Sequence, residues 1–276
     1  MDIQILLQVI ALGLIQGITE FLPISSSAHL LLPSALFGFK EQGVALDVAC
    51  HVGTLMAVMA YFRTELKGMF NDSIAYLKSR VVTPNVIMAW YLICGTIPVC
   101  IAGYFIDKYL LDQIRESAVA VIATTTVVFA VILYIADAYA VKHCNVVNEN
   151  NMGFKRAMLI AISQIFAFVP GTSRSGISMI FALFCGLTRK ATARYSFLLS
   201  IPLILAAGLH SGLKVMKETT ESVDYLYIGI GLIVSYISAY YVIKFFIKWI
   251  EKIGMTPFVI YRLILGLIPN QKCNLK

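Results

Sequence analysis

The chain has 276 residues, of which 59% are hydrophobic and only 13% charged, and its mean hydropathy is +0.82. Soluble globular domains carry about a quarter of charged residues, so this composition excludes an ordinary soluble protein and predicts a polytopic, all-α membrane protein. The net charge of +7 does not indicate a nucleic-acid partner, because no basic tract with interleaved aromatic residues stands outside the apolar runs.

The first apolar segment, Ile3 to Leu22, has no Lys or Arg before it. It therefore lacks the basic n-region of a cleavable signal peptide, and we expect it to be retained. Six later runs reach or approach the ~20 residues that cross a bilayer. These runs are Val44 to Phe62, Val86 to Phe105, Ser117 to Ala140, Tyr195 to Leu213, Tyr225 to Ile243 and the shorter Thr256 to Pro269.

Two segments resemble each other and indicate an internal duplication. Phe21 to Phe37 reads FLPISSSAHLLLPSALF, and Phe168 to Phe184 reads FVPGTSRSGISMIFALF. When the two segments are aligned, the same residue type occurs at six positions. Phe21, Pro23, Ser26, Ala35, Leu36 and Phe37 align with Phe168, Pro170, Ser173, Ala182, Leu183 and Phe184.

Each copy predicts a re-entrant hairpin of two half-helices. The apolar part of Phe154 to Val169 is too short to span, Pro170 and Gly171 break it, and Ser175 to Gly186 returns. By analogy, Ile3 to Leu22 breaks at Pro23 and returns through Phe37. Irregular backbone at membrane depth requires protein or a water-filled cavity to satisfy it, so both turns should line a cavity.

We predict one integral-membrane domain over residues 1–276, built from inverted repeats of about 1–140 and 154–270. Each repeat is a hairpin followed by three spans, and the odd number of crossings inverts the second copy. The loops expected on one side carry thirteen Lys and Arg, against seven on the other. The positive-inside rule makes the first set cytoplasmic and both termini external. The hairpins then meet near the midplane, as in inverted-repeat transporters.

The hairpin turns carry an anion-binding chemistry. Half-helix N-termini near Ser26 and Ser175 present unpaired N–H groups that favour phosphate, and the fork of Arg174 suits bidentate phosphate binding. Hydroxyls that could assist belong to Ser25, Ser26, Ser27, Thr172, Ser173, Ser175 and Ser178. Alternatively, the serines only cap helices and Arg174 pairs with a carboxylate.

Glu20 precedes the first break, and Gln16 lies one turn earlier on the same helix face. Their oxygens could hold Mg²⁺ or Ca²⁺ if substrate phosphates complete the site; the alternative is an ion pair between Glu20 and Arg174. His29 is a candidate general base or nucleophile, or a hydrogen-bonded core residue. Asp47 and His51, another i, i+4 pair, could support the site.

The stretches QGITEFLPISSSAH (Gln16 to His29) and PGTSRSGIS (Pro170 to Ser178) resemble the two signature regions of the undecaprenyl-diphosphatases, also called bacitracin-resistance proteins. LDVACHVGTLMAVMAYFR (Leu46 to Arg63), ARYSFLLSIP (Ala193 to Pro202) and PFVIYR (Pro257 to Arg262) extend the resemblance over essentially the whole chain.

The resemblance implies hydrolysis of undecaprenyl diphosphate at the outer face of the bacterial inner membrane, a divalent cation and a homodimer. It implies that Glu20, His29 and Arg174 are the principal catalytic residues, with Ser26 and Ser173 as hydroxyl participants. Whether His29, Ser26 or water attacks phosphorus stays open. The alternative function is a carrier-lipid flippase or transporter that binds lipid phosphate with little or no hydrolysis.

Overall fold

The computed structural model describes residues 2–30, 43–109, 118–143, 145–218 and 224–273. Within these ranges the predicted all-α fold is confirmed, and extended pairing is limited to an isolated bridge between Val147 and Leu187. The α-helices are α1 (Ile3–Thr19), α2 (Val44–Tyr61), α3 (Arg63–Ser79), α4 (Pro84–Tyr109), α5 (Ala118–Lys142), α6 (Gly153–Ile162), α7 (Arg174–Phe184), α8 (Arg189–Glu218), α9 (Tyr225–Ile253) and α10 (Thr256–Cys273). Short 3₁₀ helices cover Glu149–Asn151 and Ser163–Phe168.

Five helices of the described chain are long and apolar enough to cross a membrane, so the protein is a multi-pass membrane protein. Their spanning parts are Val44–Tyr61, Pro84–Tyr109, Ala120–Lys142, Arg189–Lys214 and Tyr225–Ile253. The sixth predicted span falls on α10, an 18-residue helix over Thr256–Cys273. Within the residues whose side chains the structure describes, its apolar stretch covers Thr256–Leu267.

Both predicted helix breaks are present. Helix α1 ends at Thr19, a turn follows, and helical backbone resumes at Ser26 and is described to Leu30. In the second copy, α6 tightens into the 3₁₀ helix Ser163–Phe168, and α7 begins at Arg174. The rest of the first returning segment, including Ala35, Leu36 and Phe37, lies outside the described residues.

The segment between the predicted spans Val44 to Phe62 and Val86 to Phe105 contains helix α3. Its apolar residues Phe70, Ile74 and Leu77 are exposed and fall on one face at i, i+4 and i+7 spacing. Asp72 accepts hydrogen bonds from Thr83 and Asn85 at 2.7 and 2.9 Å, which ties α3 to the start of α4. An amphipathic helix with an exposed apolar face fits the membrane–water boundary.

Helix packing is reciprocal between the two halves of the chain. Helix α2 packs on α9 and α8 packs on α4; α1 packs on α9 and α6 packs on α4. Helices α2 and α8 contact each other, and so do α5 and α10. Exchange of this kind is expected of two repeats related by a pseudo-twofold axis, whereas the inversion itself and the boundaries 1–140 and 154–270 stay predictions.

The start of α10 is fixed by a buried carboxylate. Asp137 on α5 binds Nε and Nη2 of Arg189 at 2.7 and 2.8 Å and accepts a hydrogen bond from the backbone N–H of Met255 at 3.1 Å. The pair joins α5, α8 and the residue before α10. It thereby sets the position of Tyr261 and Arg262, which follow two turns later on α10.

Candidate functional site

The two hairpin turns share an unusual backbone conformation. Ser25 and Ser173 have φ values of 70° and 72°, a left-handed region that non-glycine residues seldom adopt. Each serine directly precedes a helix, and its hydroxyl lies 3.1 or 3.2 Å from the hydroxyl two residues later, on Ser27 or Ser175. Ser173 also accepts a hydrogen bond from the N–H of Gly176, so its side chain caps α7.

These geometries correct the register of the duplication at the turns. The sequence letters pair Ser26 with Ser173, but the structure pairs Ser25 with Ser173 and Ser26 with Arg174. The reason is that the second turn has one more residue between its proline and the serine of positive φ. Ser26 and Arg174 are thus the first helical residues of their respective half-helices.

Both of these first residues bind the same carboxylate. Nη2 of Arg174 donates to Oε1 of Glu20 at 2.8 Å, and Oγ of Ser26 donates to Oε2 at 3.0 Å. Nε2 of Gln16 donates to Oε2 at 2.9 Å. The contact between Glu20 and Arg174 that the sequence suggested is confirmed, and the carboxylate is buried with three side-chain donors.

Further hydrogen bonds join the two turns. Ser175 donates to the carbonyl of Leu22 at 2.8 Å. The guanidinium of Arg262, which is 0% exposed, donates to the carbonyl oxygens of Pro23, Thr126, Gly171 and Thr172 at 2.9 to 3.3 Å. Within the described residues all of its hydrogen bonds end on backbone carbonyls. Arg262 therefore supplies hydrogen-bond donors to backbone carbonyls of both irregular turns.

Arg262 was not predicted as a site residue. The available signal was an arginine inside the apolar run Thr256 to Pro269, because a charge at membrane depth is costly and marks a function or a partner. Its neighbour Tyr261 was also missed. The Tyr261 hydroxyl lies 2.6 Å from Nε2 of His29, and the two rings stack at an interplanar angle of 7°.

His29 lies on the first returning half-helix, and its ring is held on both sides. Nδ1 is 2.7 Å from the carbonyl oxygen of Ser25, and Nε2 contacts Tyr261. A ring with both nitrogens engaged matches the hydrogen-bonded core alternative as well as a positioned base. The structure does not place His29 among the residues that line the cavity beside Glu20 and Arg174.

The remaining predicted hydroxyls fall into two groups. Ser178 is buried and bonds to the carbonyls of Arg174 and Ser175 and to the hydroxyl of Ser196, while Thr172 is buried with its hydroxyl unpaired. Ser26 is half-buried and Ser27 is exposed. Ser178 therefore forms hydrogen bonds inside the second hairpin, while Ser26 and Ser27 are open to an incoming ligand.

A cavity of about 330 Å³ opens beside the ion pair. Glu20 and Arg174 form its polar end, together with Asp47 and His51 from the start of α2. The other lining residues are Val44, Val48, Gln164, Ala167, Phe168, Leu203, Ile204, Ala207, Gly208 and Ser211. The expected cavity at the turns is therefore present, and Asp47 and His51 belong to it.

The oxygen donors around Glu20 fit a hard divalent cation. Oε1 of Gln16 is buried without a hydrogen-bond partner, and such an orphaned acceptor beside a carboxylate suits Mg²⁺ or Ca²⁺. The described residues contain no group of three or more His, Cys, Asp or Glu arranged to hold a metal. Substrate oxygens would have to complete the coordination shell.

The fold and the site define a class: a multi-pass helical membrane protein with an ionisable pair buried between two helix breaks. The chain belongs to the family described as bacitracin resistance protein BacA, whose model matches residues 9–268. It is 47% identical over 260 residues to the undecaprenyl-diphosphatase of Hahella chejuensis, covering 94% of this chain and 95% of that one. A protein of the same name from Teredinibacter turnerae is 46% identical over 263 residues, covering 95% and 97%.

Proposed function

We propose that this protein hydrolyses undecaprenyl diphosphate to undecaprenyl phosphate and inorganic phosphate. The family membership and the names of the relatives support this substrate. The observation that carries the proposal is the Glu20–Arg174 pair, which places an anion-binding guanidinium and a proton acceptor at the polar end of a cavity. Recycled carrier lipid would serve peptidoglycan and cell-envelope synthesis and give bacitracin resistance.

Phosphate binding would rest on Arg174 and on the two half-helix N-termini. Substrate oxygens would compete with Glu20 for the guanidinium, whose side chain is 15% exposed. The backbone N–H groups that follow Ser25 and Ser173 are at the N-termini of the helices that begin at the turns. Helix N-termini favour the binding of an anion. Of the candidate hydroxyls, Ser26 and Ser27 are accessible for contact with the diphosphate; Ser25, Thr172, Ser173, Ser175 and Ser178 would shape the turns around it.

Among the three candidate nucleophiles, Ser26 is supported by its hydrogen bond to Glu20, which lines the cavity, whereas neither Ser26 nor His29 lines it. Its hydroxyl already donates to Glu20, so the proton can pass to Oε2 as Oγ bonds to the terminal phosphorus. The bond from that phosphorus to the bridging oxygen breaks, and undecaprenyl phosphate leaves. Water would then attack the phosphorus of the phosphoserine, the bond from phosphorus to Oγ would break, and Oγ would regain its proton from Glu20 as inorganic phosphate leaves with the atoms of the water. His29, held by Ser25 and Tyr261, would position the turn that carries Ser26.

Glu20 and Gln16 would hold the divalent cation together with phosphate oxygens of the substrate. When bound, the cation would neutralise part of the diphosphate charge and polarise the phosphoryl oxygens.

Purified protein in detergent should release inorganic phosphate from undecaprenyl diphosphate, in equal amount to the undecaprenyl phosphate formed. A flippase would bind the lipid and move it across proteoliposomes without phosphate release. Measuring both products and lipid translocation on one preparation separates these functions. Binding and translocation without hydrolysis would overturn the proposal.

Arg174→Lys should lower kcat/KM by more than tenfold, about 1.4 kcal/mol. A lysine ammonium cannot make the forked contact with phosphoryl oxygens that a guanidinium makes. Phosphate release at varied lipid concentration gives the value, with Arg63→Lys, an exposed arginine of α3, as the matched control. A folded Arg174→Lys protein with near wild-type kcat/KM would show that Arg174 does not clamp the diphosphate.

We propose that the cavity opens to the outer face of a bacterial inner membrane. It is lined by the beginning of α2 and the second half of α8, which the Lys and Arg distribution assigns to the external side. The membrane itself follows from the family. The homodimer implied by the resemblance stays a prediction, to be tested by the mass of the detergent-purified protein.

The orientation can be tested with exposed positions at opposite ends of helices. An impermeant maleimide should label Tyr225→Cys, at the 82% exposed start of α9, in intact spheroplasts. Lys78→Cys, exposed near the end of α3, should react only after lysis. Background labelling is removed by replacing the native cysteines. The reverse pattern would contradict the outward orientation.

A further inference from the structure

A second cavity of about 420 Å³ lies between α4 and α8. Helix α4 contributes Cys100, Gly103 and Tyr104, and helix α8 contributes Ala206 among its small and apolar residues. We call this cavity the α4–α8 groove. Its wall is largely apolar, with Asp107, His210 and Ser211 as polar residues of the lining.

The α4–α8 groove adjoins the cavity of the ion pair. Phe168, Leu203, Ala207 and Ser211 line both. The two neighbouring cavities therefore place charged residues at the hairpin turns beside a largely apolar groove between two membrane-spanning helices. This polarity matches an amphiphile whose anionic head group is attached directly to a hydrocarbon chain.

Phe168 stands at the junction of the two cavities. It ends the 3₁₀ helix that leads into the second turn, and its ring packs on Gly103: a Cβ added at Gly103 would lie 2.6 Å from Cζ of Phe168. The glycine thus lets an aromatic ring sit against α4. His210 of α8 and Asp107 of α4, which also line the groove, approach within 3.4 Å and form a polar part of its wall.

We propose that the α4–α8 groove binds the part of the substrate's prenyl chain nearest the diphosphate, with Phe168 contacting the first units. This assignment rests on the proposed function and adds the site of chain recognition to it. For a chain attached to a head group at Arg174, the groove is an adjacent apolar site, because it borders the head-group cavity at Phe168, Leu203, Ala207 and Ser211. Filling the groove should then weaken recognition of the lipid without changing the head-group site.

Ala206 permits a direct test, because it lines the groove and not the cavity of Glu20 and Arg174. Ala206→Phe should lower kcat/KM for undecaprenyl diphosphate at least tenfold through a higher KM, and should weaken binding of the lipid, measured by displacement of a fluorescent prenyl diphosphate, by a similar factor. Inhibition by inorganic diphosphate, which has no chain, should stay within about twofold of wild type. Cys100→Trp fills the groove from α4 and should act in the same way.

Leu205→Phe is the matched control, since Leu205 precedes Ala206 on α8, is 49% exposed and does not line the groove. Thermal melting shows whether Ala206→Phe and Cys100→Trp are folded. If the folded variants bind and turn over the lipid as Leu205→Phe does, the groove holds ordinary membrane lipid and the assignment is wrong. If the wild type binds the lipid without releasing phosphate, the proposed hydrolysis is wrong, and the binding measurements still decide whether the groove recognises the chain.

Discussion

Glu20→Gln should reduce phosphate release at least about a hundredfold, within the range for loss of one acid–base group. The amide cannot take the proton of Ser26, and it removes the charge that would hold a divalent cation with Gln16. Lipid binding should survive better than turnover, because Arg174 loses the carboxylate that competes with the substrate anion. Parallel measurement of phosphate release and lipid binding against Mg²⁺ and Ca²⁺ gives both values.

The same substitution leaves the partly buried Arg174 without a carboxylate, although an amide oxygen at position 20 can still accept its hydrogen bond. Breaking a fully buried pair costs about 3–5 kcal/mol, so we expect a smaller loss of stability here. A double variant, Glu20→Gln with Arg174→Gln, should regain thermal stability but not activity, which separates folding from chemistry. Glu65→Gln removes the partially exposed partner of Arg194 and serves as the matched control. If Glu20→Gln stays active with unchanged metal dependence, Glu20 is a structural partner of Arg174 only.

Gln16→Glu tests the proposed cation from the opposite direction. A second carboxylate would replace the orphaned amide oxygen beside Glu20, so activity should be kept and should reach its maximum at a lower Mg²⁺ or Ca²⁺ concentration. Titration of phosphate release with each cation provides the measurement. An unchanged titration curve would argue against Gln16 as a ligand.

Arg262→Met should both destabilise the protein and suppress its activity. Hydrogen bonds to a charged group contribute about 1.5–3 kcal/mol each, and Arg262 makes four, to carbonyls of both turns and of α5. Without the guanidinium those carbonyls lose their donor in an interior that supplies little water. We expect a loss of at least about 3 kcal/mol, read as a lower midpoint of thermal unfolding in detergent.

Arg63→Met provides the control, because Arg63 is exposed at the beginning of α3. Arg262→Lys should fall between wild type and Arg262→Met, since one ammonium cannot reach the spread of oxygens that the guanidinium reaches. A thermal midpoint for Arg262→Met equal to that of Arg63→Met, with activity retained, would show that the turns hold their shape without this residue.

The breaks and the central ion pair were predictable from sequence because their signals are local and costly. Pro23 and Pro170 interrupt apolar runs, and an arginine or glutamate at membrane depth needs a partner. Glu20 is the negatively charged residue next to one break and Arg174 is the positively charged residue next to the other, so an ion pair between them could be expected. The structure confirms this contact.

Other features depend on tertiary geometry that a linear pattern does not contain. The extra residue of the second turn shifts the pairing of Ser25 and Ser173, although the letters align one position away. The sequence shows that Arg262 is a charged residue in an apolar run. It does not show which carbonyls Arg262 binds, because these belong to segments that are distant from it in the sequence. Helix α3 was not predicted from the sequence, because its apolar residues form only a narrow stripe among polar residues.

The position of Arg262 along the chain has a consequence for biosynthesis. It lies 239 residues after Pro23 and 91 after Gly171, whose carbonyls it binds. Both turns are therefore synthesised before their shared donor. Unpaired carbonyls in hydrocarbon are costly, so the two turns can reach the hydrogen bonding described above only after Arg262 has been added to the chain and α10 has packed against them.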